Sequence, residues 1–303
     1  MADTKAKIDA KTALYGLLGN PVGHSMSPFM QNQFMEQCDV NGVYLAFQVE
    51  GEKIGDVMHG MHAMGLQGAN VTIPHKEAVI PYLCGMSKAA EACGAVNTLI
   101  YTPDGYYGDN TDGAGLLAAL EAKNGWQAAG KRILIIGAGG AAKGVAVAMA
   151  LQGAEEICIA NRTIEKAEQL AAQIAGLSDT KTSAVAMDRL TDEDLYTAYT
   201  TIVNTTSLGM SPNVDDMPPV YIGALSESHL VVDLIYNPME TKLLRLAKAQ
   251  GAQVASGLGM FVYQGVLAFE TFRIFHAYPK AVHTEALKLI SAIGHYWSDT
   301  IGE

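Results

Sequence analysis

Residues 68–77 read GANVTIPHKE, and several side chains in this stretch have chemistry to offer. Asn70 and Thr72 alternate along a short apolar run, which puts both on one face of a strand because side chains repeat every two residues. Pro74 closes the run: it has no N–H for a sheet ladder and it keeps the preceding residue extended. His75 and Lys76 follow. A lysine in that place has two readings. One is a solvated charge at a helix start, the usual fate of lysine. The other is a proton donor at the rim of a cleft, where partial desolvation lowers its pKa towards neutrality. The lysine alone leaves both open.

A second reactive pattern lies further along. Residues 137–142, GAGGAA, match G-x-G-x-x-A directly after the apolar run KRILII. Gly137 and Gly139 allow the tight turn, and Ala138, Gly140 and Ala141 bring free backbone amides to the head of the helix that follows. Such a helix start attracts a pyrophosphate. The complete strand–turn–helix–strand context turns a weak glycine motif into a dinucleotide site. At the end of the next strand an NAD site would place Asp or Glu for the ribose hydroxyls. This chain has Asn161, Arg162 and Thr163, then Lys166. A guanidinium pairs with a 2′-phosphate and stacks on adenine, so the cofactor expected is NADP. The competing reading of ANRTIEK is a charged helix start.

The elements that position these residues follow from pattern. ALYGLLG (13–19) reads as a strand, and Ser27-Pro28 as a helix start with serine as cap and proline at the first helical position. The strand VYLAFQV (43–49), a helix near 53–64 and the strand GANVTI come next. Pro-Asp-Gly between NTLIYT and YYGDN suggests a hairpin. After Asp112 a helix (GAGLLAALEAKNG) leads to the glycine motif, then to EICIA, TTIVNTTS, LVVDLIY and the helix TKLLRLAKAQ. From about Gly257 the chain reads as helix, through LGMFVYQGVLAFETFRIFHA and then HTEALKLISAIGHYWSDT. Strands alternating with helices imply βαβ units and largely parallel sheets.

The chain has 303 residues, enough for two domains, with 49% apolar and 17% charged residues, the balance of a well-buried globular enzyme. Its net charge of −11 argues against nucleic acid, and it means that an anionic ligand must be held by local donors and cations. Cys38, Cys84, Cys93 and Cys158 form no C-x-x-C pair and suit buried free thiols of a reducing compartment. The polar start MADTKAKIDAKT lacks the apolar core of a signal peptide, and no apolar run is long enough to span a membrane. A soluble, cytoplasmic protein is expected. His59 and His62 form H-x-x-H without an evident third ligand, so no metal is expected. A calcium loop around Gly113 is excluded, because its first and last ligand positions are Gly108 and Ala119.

Five segments together resemble the shikimate dehydrogenase family: GNPVGHSMSP, GANVTIPHK, GAVNT with GDNTDG, GAGGA with NRT, and GLGMFVYQ. They run in the family's order over nearly the whole chain. The resemblance implies an α/β fold: an N-terminal substrate domain (1–112) completed by C-terminal helices (257–303), and a Rossmann-type NADP domain between (113–256). It implies Lys76 and Asp112 as the catalytic pair, although Asp112 also suits a helix cap. Ser25 and Ser27 would meet a substrate carboxylate, with Asn70, Thr72, Asn97, Tyr236 and Gln264 as further substrate contacts. Thr205, Ser207, Met210, Gly257 and Met260 would neighbour the nicotinamide, with plain helix packing the rival role for Met260. His24 reads as structural, and His75 as a residue behind Lys76 or facing solvent. The family often has histidine before the asparagine of the first helix, where this chain has Gln31-Asn32, a departure that touches packing. The activity implied is NADP-dependent reduction of 3-dehydroshikimate to shikimate, by a monomer or homodimer. A quinate or dual quinate/shikimate dehydrogenase using NAD(P) is the nearest alternative; Ser25 and Thr72 together with Arg162 favour shikimate and NADP. A non-catalytic NADP sensor would lose one of the pair, and both are present.

Overall fold

The computed structural model describes residues 8–274, which fold as two compact units. The first comprises residues 8–111 and resumes at Gln264; the second runs from Asp112 to Tyr263. The second expected C-terminal helix lies outside the described residues.

In the first unit the order is β1 (Ala13–Gly19), α1 (Ser27–Gln37), β2 (Gly42–Gln48), α2 (Ile54–Ala63), β3 (Gly68–Val71), β4 (Leu83–Met86), α3 (Lys88–Cys93), β5 (Thr98–Thr102) and β6 (Gly105–Asp109). They form one mixed sheet in the order β2-β1-β3-β5-β6-β4. β1 pairs in parallel with β2 and β3, and the Pro-Asp turn makes β5 and β6 an antiparallel hairpin. On α2, Ile54, Met58 and Met61 recur at helical spacing and are buried beside Leu18, Val71 and Leu99. The chain from Gln264 packs back here: Phe269 sits 5.4 Å from Phe34 and Phe272 5.4 Å from Tyr15, ring to ring.

The second unit holds α4 (Asp112–Asn124), β7 (Arg132–Ile136), α5 (Gly140–Leu151), β8 (Glu156–Asn161), α6 (Ile164–Ala175), β9 (Lys181–Ala186), α7 (Glu193–Ala198), β10 (Thr201–Asn204), β11 (Leu230–Asp233), α8 (Lys242–Ala249) and β12 (Gln253–Ser256), and it includes the start of α9 (Gly257–Phe269). Its sheet is wholly parallel, in the order β12-β11-β10-β7-β8-β9. Parallel strands covered on both faces need apolar residues on both. Ile133, Ile135, Ile157 and Val203 accordingly face α4, α5 and α6, while Leu134, Ile136, Cys158 and Ile202 face α7 and α8. This is the doubly wound dinucleotide-binding arrangement.

Some expectations are corrected in detail. β3 ends at Val71 rather than Ile73, which is 74% exposed, although Thr72 N–H still bonds Leu18 O at 2.8 Å. α1 starts at Ser27, so serine is not the cap and Pro28 is not the first helical residue; Met26 precedes the helix, and the Ser25 hydroxyl accepts Ser27 N–H at 3.2 Å. All four cysteines are free, but only Cys93 and Cys158 are buried, and Cys84 is exposed.

α4 and α5 approach closely because Gly113 lacks a side chain: a Cβ there would fall on the Gly144 carbonyl oxygen and the Ala148 methyl. Gly113→Ala is therefore expected to cost about 1–3 kcal/mol by overpacking. Denaturant unfolding should show a lower midpoint with an unchanged m-value.

Candidate active site

In the first unit, the turn bearing Lys76 is tied to three neighbouring segments. Asn20 N–H donates to Ile73 O at 2.9 Å, Val96 N–H donates to Lys76 O at 2.8 Å, and the ring Nε2 of His75 meets Val49 O at 2.7 Å. His75 is only 1% exposed, which corrects the solvent-facing alternative. The half-buried lysine thus leaves a turn that is fixed on both sides.

Asn97 follows Val96 and organises the next segment. Its Oδ1 accepts Thr111 N–H at 2.9 Å and the Thr98 hydroxyl at 2.8 Å, and its Nδ2 donates to Thr111 Oγ1 at 3.0 Å. The Thr111 hydroxyl donates to Gln264 O at 3.0 Å. Asp112 is the next residue in the chain and the first of α4. Asn70 is held as firmly, with Tyr44 Oη donating to its Oδ1 at 2.9 Å and its Nδ2 donating to Asn97 O at 3.2 Å. Tyr44, Thr98 and Thr111 are partners that sequence reasoning missed; only the polarity of Thr98 and Thr111 within buried segments hinted at them.

Three hydroxyls behave differently. Those of Ser27 and Thr72 make no hydrogen bond among the described residues, and that of Ser25 only accepts. Each retains an O–H donor. Thr72 lies against the start of the turn that carries both serines, since a Cβ on Gly19 would meet Thr72 Cγ2 and Val22 Cγ1. His24, in the same turn, is exposed, and Gln31 is wholly buried with its Nε2 donating to Gly265 O at 3.0 Å, a packing role. His62 meets Thr102 O through Nε2 at 2.8 Å, and His59 stands edge-on to Tyr82.

In the second unit the glycine motif sits where the strand order reverses. Gly137, after β7, has φ +112°, and a Cβ there would fall on Thr205 Oγ1, after β10. Gly139 precedes α5, whose start has no side-chain cap and no acid in its first turn, so its amides remain open to an anion. Gly139 and Gly140 face open space, and Ala138 and Ala141 complete the turn. At the end of β8, Asn161 Nδ2 donates to Thr163 O at 2.8 Å and shapes the corner. Arg162 and Lys166 are exposed and make no ion pair or hydrogen bond through their side chains among the described residues, and Thr163 leaves its hydroxyl unused in capping α6. Two free cations and a hydroxyl, with Asn161 rather than an acid at the end of β8, fit a 2′-phosphate, although Glu165 stands in the first turn of α6.

The remaining residues of this unit follow β10, β11 and β12. Thr205 is anchored to Ile136 O through both N–H (2.9 Å) and hydroxyl (2.7 Å), whereas Ser207 and Met210 are exposed. Tyr236 stacks on Phe261 at 5.2 Å, and burial raises its phenol pKa. Gly257 opens α9 where a Cβ would strike Leu234 O. Met260 packs on the core beneath α4, which supports the packing role.

Comparison with known proteins agrees with this arrangement. Residues 17–99 match the shikimate dehydrogenase substrate binding domain, and residues 119–220 match the shikimate / quinate 5-dehydrogenase family. A shikimate dehydrogenase (NADP(+)) of Bacillus cereus is 43% identical over 85% of this chain and 91% of its own length. The chain belongs to the shikimate dehydrogenase family. Among solved structures of the family, a shikimate dehydrogenase in complex with NADP+ is 40% identical with a TM-score of 0.84, covering 95% of this chain and 99% of its own. The shikimate 5-dehydrogenase of Listeria monocytogenes, in complex with shikimate and NAD, is 34% identical with a TM-score of 0.87, covering 92% and 98%.

In this family member Asn97 is the residue on which the segment before Asp112 rests. Asn97→Ala would leave the buried Thr111 N–H and the Thr98 hydroxyl without their acceptor. The expected cost is about 2–3 kcal/mol, read as a lowered thermal midpoint.

Proposed function

We propose that the chain catalyses the reversible NADP-dependent reduction of 3-dehydroshikimate to shikimate. The observation that carries this reading is the pinned 72–76 turn, which fixes a half-buried lysine in one segment with Thr72, itself packed against Gly19, where the segment that leads to Ser25 and Ser27 begins. Three hydroxyl donors with no acceptor among the described residues suit a ligand rich in oxygen. In this reading Ser25 and Ser27 hold the carboxylate, and Thr72, Asn70 and Asn97 hold ring oxygens, with Tyr236 and Gln264 as further contacts. A pocket built to bond many oxygens rejects analogues that leave its groups unpaired.

Reduction of the ketone creates an alkoxide that needs a proton, and oxidation of the alcohol releases one. Lys76, with Asp112 as its carboxylate partner, moves that proton. Bound NADP(H) supplies or accepts the hydride. Arg162, Thr163 and Lys166 hold its 2′-phosphate, the open start of α5 holds its pyrophosphate, and Thr205, Ser207, Met210 and Gly257 border its nicotinamide. Among the described residues no helix is long and apolar enough to cross a membrane. The reading places the enzyme in the cytoplasm, as a monomer or homodimer.

The direct test measures absorbance change for shikimate and quinate, each with NADP and with NAD. Shikimate with NADP should give the highest of the four rates, and a preference for quinate or NAD would overturn the assignment. In the same assay Arg162→Ala should raise KM for NADP by about tenfold or more and leave KM for NAD nearly unchanged. Equal loss for both cofactors would contradict the 2′-phosphate role. Lys76→Ala should lower kcat at least ~10²-fold with folding and NADP binding intact. Near-normal turnover by that variant would remove the lysine from the chemistry.

A further inference from the structure

Asp233, the last residue of β11, is a wholly buried acid with no ion pair among the described residues. Its carboxylate accepts three hydrogen bonds: from Thr241 Oγ1 at 2.7 Å, from Ile235 N–H at 3.1 Å and from Asn204 Nδ2 at 3.1 Å. Asn204 ends β10, and its Oδ1 accepts both the N–H (3.0 Å) and the hydroxyl (2.7 Å) of Thr206; Leu208 N–H then reaches Thr206 Oγ1 at 3.3 Å. A single chain of polar groups therefore runs from the cap of α8 through Asp233 and Asn204 into the loop after β10. Its branch through Ile235 N–H fixes the loop after β11.

Those loops occupy a defined place. In an open parallel sheet the ligand lies beyond the carboxyl ends of the strands, at the point where their order reverses. Here that point lies between β7 and β10. The β8 corner, with Arg162, suits the adenosine half of a dinucleotide, which leaves the ends of β10 and β11 for the other half. We propose that Asp233 is a positioning residue that sets the wall against which the nicotinamide half of the cofactor rests. This extends the NADP reading and depends on it.

The carboxylate is retained although burial pushes its pKa up to about 6 against those three hydrogen bonds. An acid kept where burial disfavours its charge fits a requirement other than stability.

The test compares wild type, Thr206→Val, Asp233→Ala and Asp233→Asn, titrated with NADPH and with 2′,5′-ADP by fluorescence. Thr206→Val keeps the buried acid and the backbone N–H bond to Asn204 but removes the hydroxyl that donates to Asn204 and accepts Leu208 N–H, and it should weaken NADPH about tenfold while binding 2′,5′-ADP as wild type does. Asp233→Ala should do the same or more. Asp233→Asn retains an acceptor for Asn204 and Ile235 and should stay within about threefold of wild type. Equal loss for NADPH and 2′,5′-ADP in Thr206→Val, or no loss for either, would overturn the inference, and Thr206→Val decides the matter where Asp233→Ala does not fold. Failure of wild type to bind NADPH would instead sink the cofactor reading itself.

Discussion

Between β7 and β10 the sheet order reverses, and the second unit is organised around that reversal. Connections from adjacent parallel strands leave in opposite directions there, so their loops separate and open a crevice that no side chain needs to carve. The opening is narrow at its base, because Gly137 lies where any Cβ would meet the Thr205 hydroxyl, and Thr205 is bonded back to Ile136. Backbone, rather than side chain, therefore lines the floor. A phosphate can approach amides at van der Waals distance, and the uncapped start of α5 is left with donors that only an anion or water satisfies. The continuous apolar runs of β7 and β8, the helices on both faces and the glycine turn all serve one condition, that this floor be rigid.

The first unit solves a different problem. A ligand with many oxygens calls for polar groups in a dry place, and each such group must have a partner when the ligand is absent or face solvent. The protein divides the work. Asn70, Asn97, Thr98 and Thr111 are engaged with one another and with the backbone, so they fix geometry. Ser25, Ser27 and Thr72 keep their O–H donors, and the first and third of these are only partly buried, so water serves them in the free protein. Rigid amides behind rotatable hydroxyls give a surface that holds its shape and still adapts its donors to a ligand.

What was legible in the sequence follows from how local each signal is. β7, the glycine turn and α5 were clear because an apolar run, three glycines and a small-residue helix sit side by side in the chain. β4, β9 and β12 were not foreseen, and all three are edge strands. An edge strand is covered by one neighbour only, so LCGM, KTSAVA and QVAS need no alternating or continuous apolar pattern. α3 and α7 are six residues each, too short for a helical period to declare itself. Among site residues the chemical types were visible, but the partners were not. His75 looked like a residue behind Lys76 or at the surface, because its partner is the Val49 carbonyl, 26 residues away. Ser27 looked like a cap, because whether the hydroxyl of residue 25 or 27 meets the helix amide depends on the turn and not on composition. Asn204 and Asp233 carried a signal that went unread: each is the polar last residue of an apolar strand.

The overall charge of −11 sharpens the cofactor question rather than contradicting it. A dinucleotide with a 2′-phosphate carries several negative charges, and at long range this surface repels it. At physiological salt, however, exposed charges are screened beyond about 8 Å. The excess acid elsewhere is thus felt weakly at the β8 corner, where Arg162 and Lys166 are exposed and Asn161 ends the strand in place of an acid. Short-range arrangement outweighs net charge.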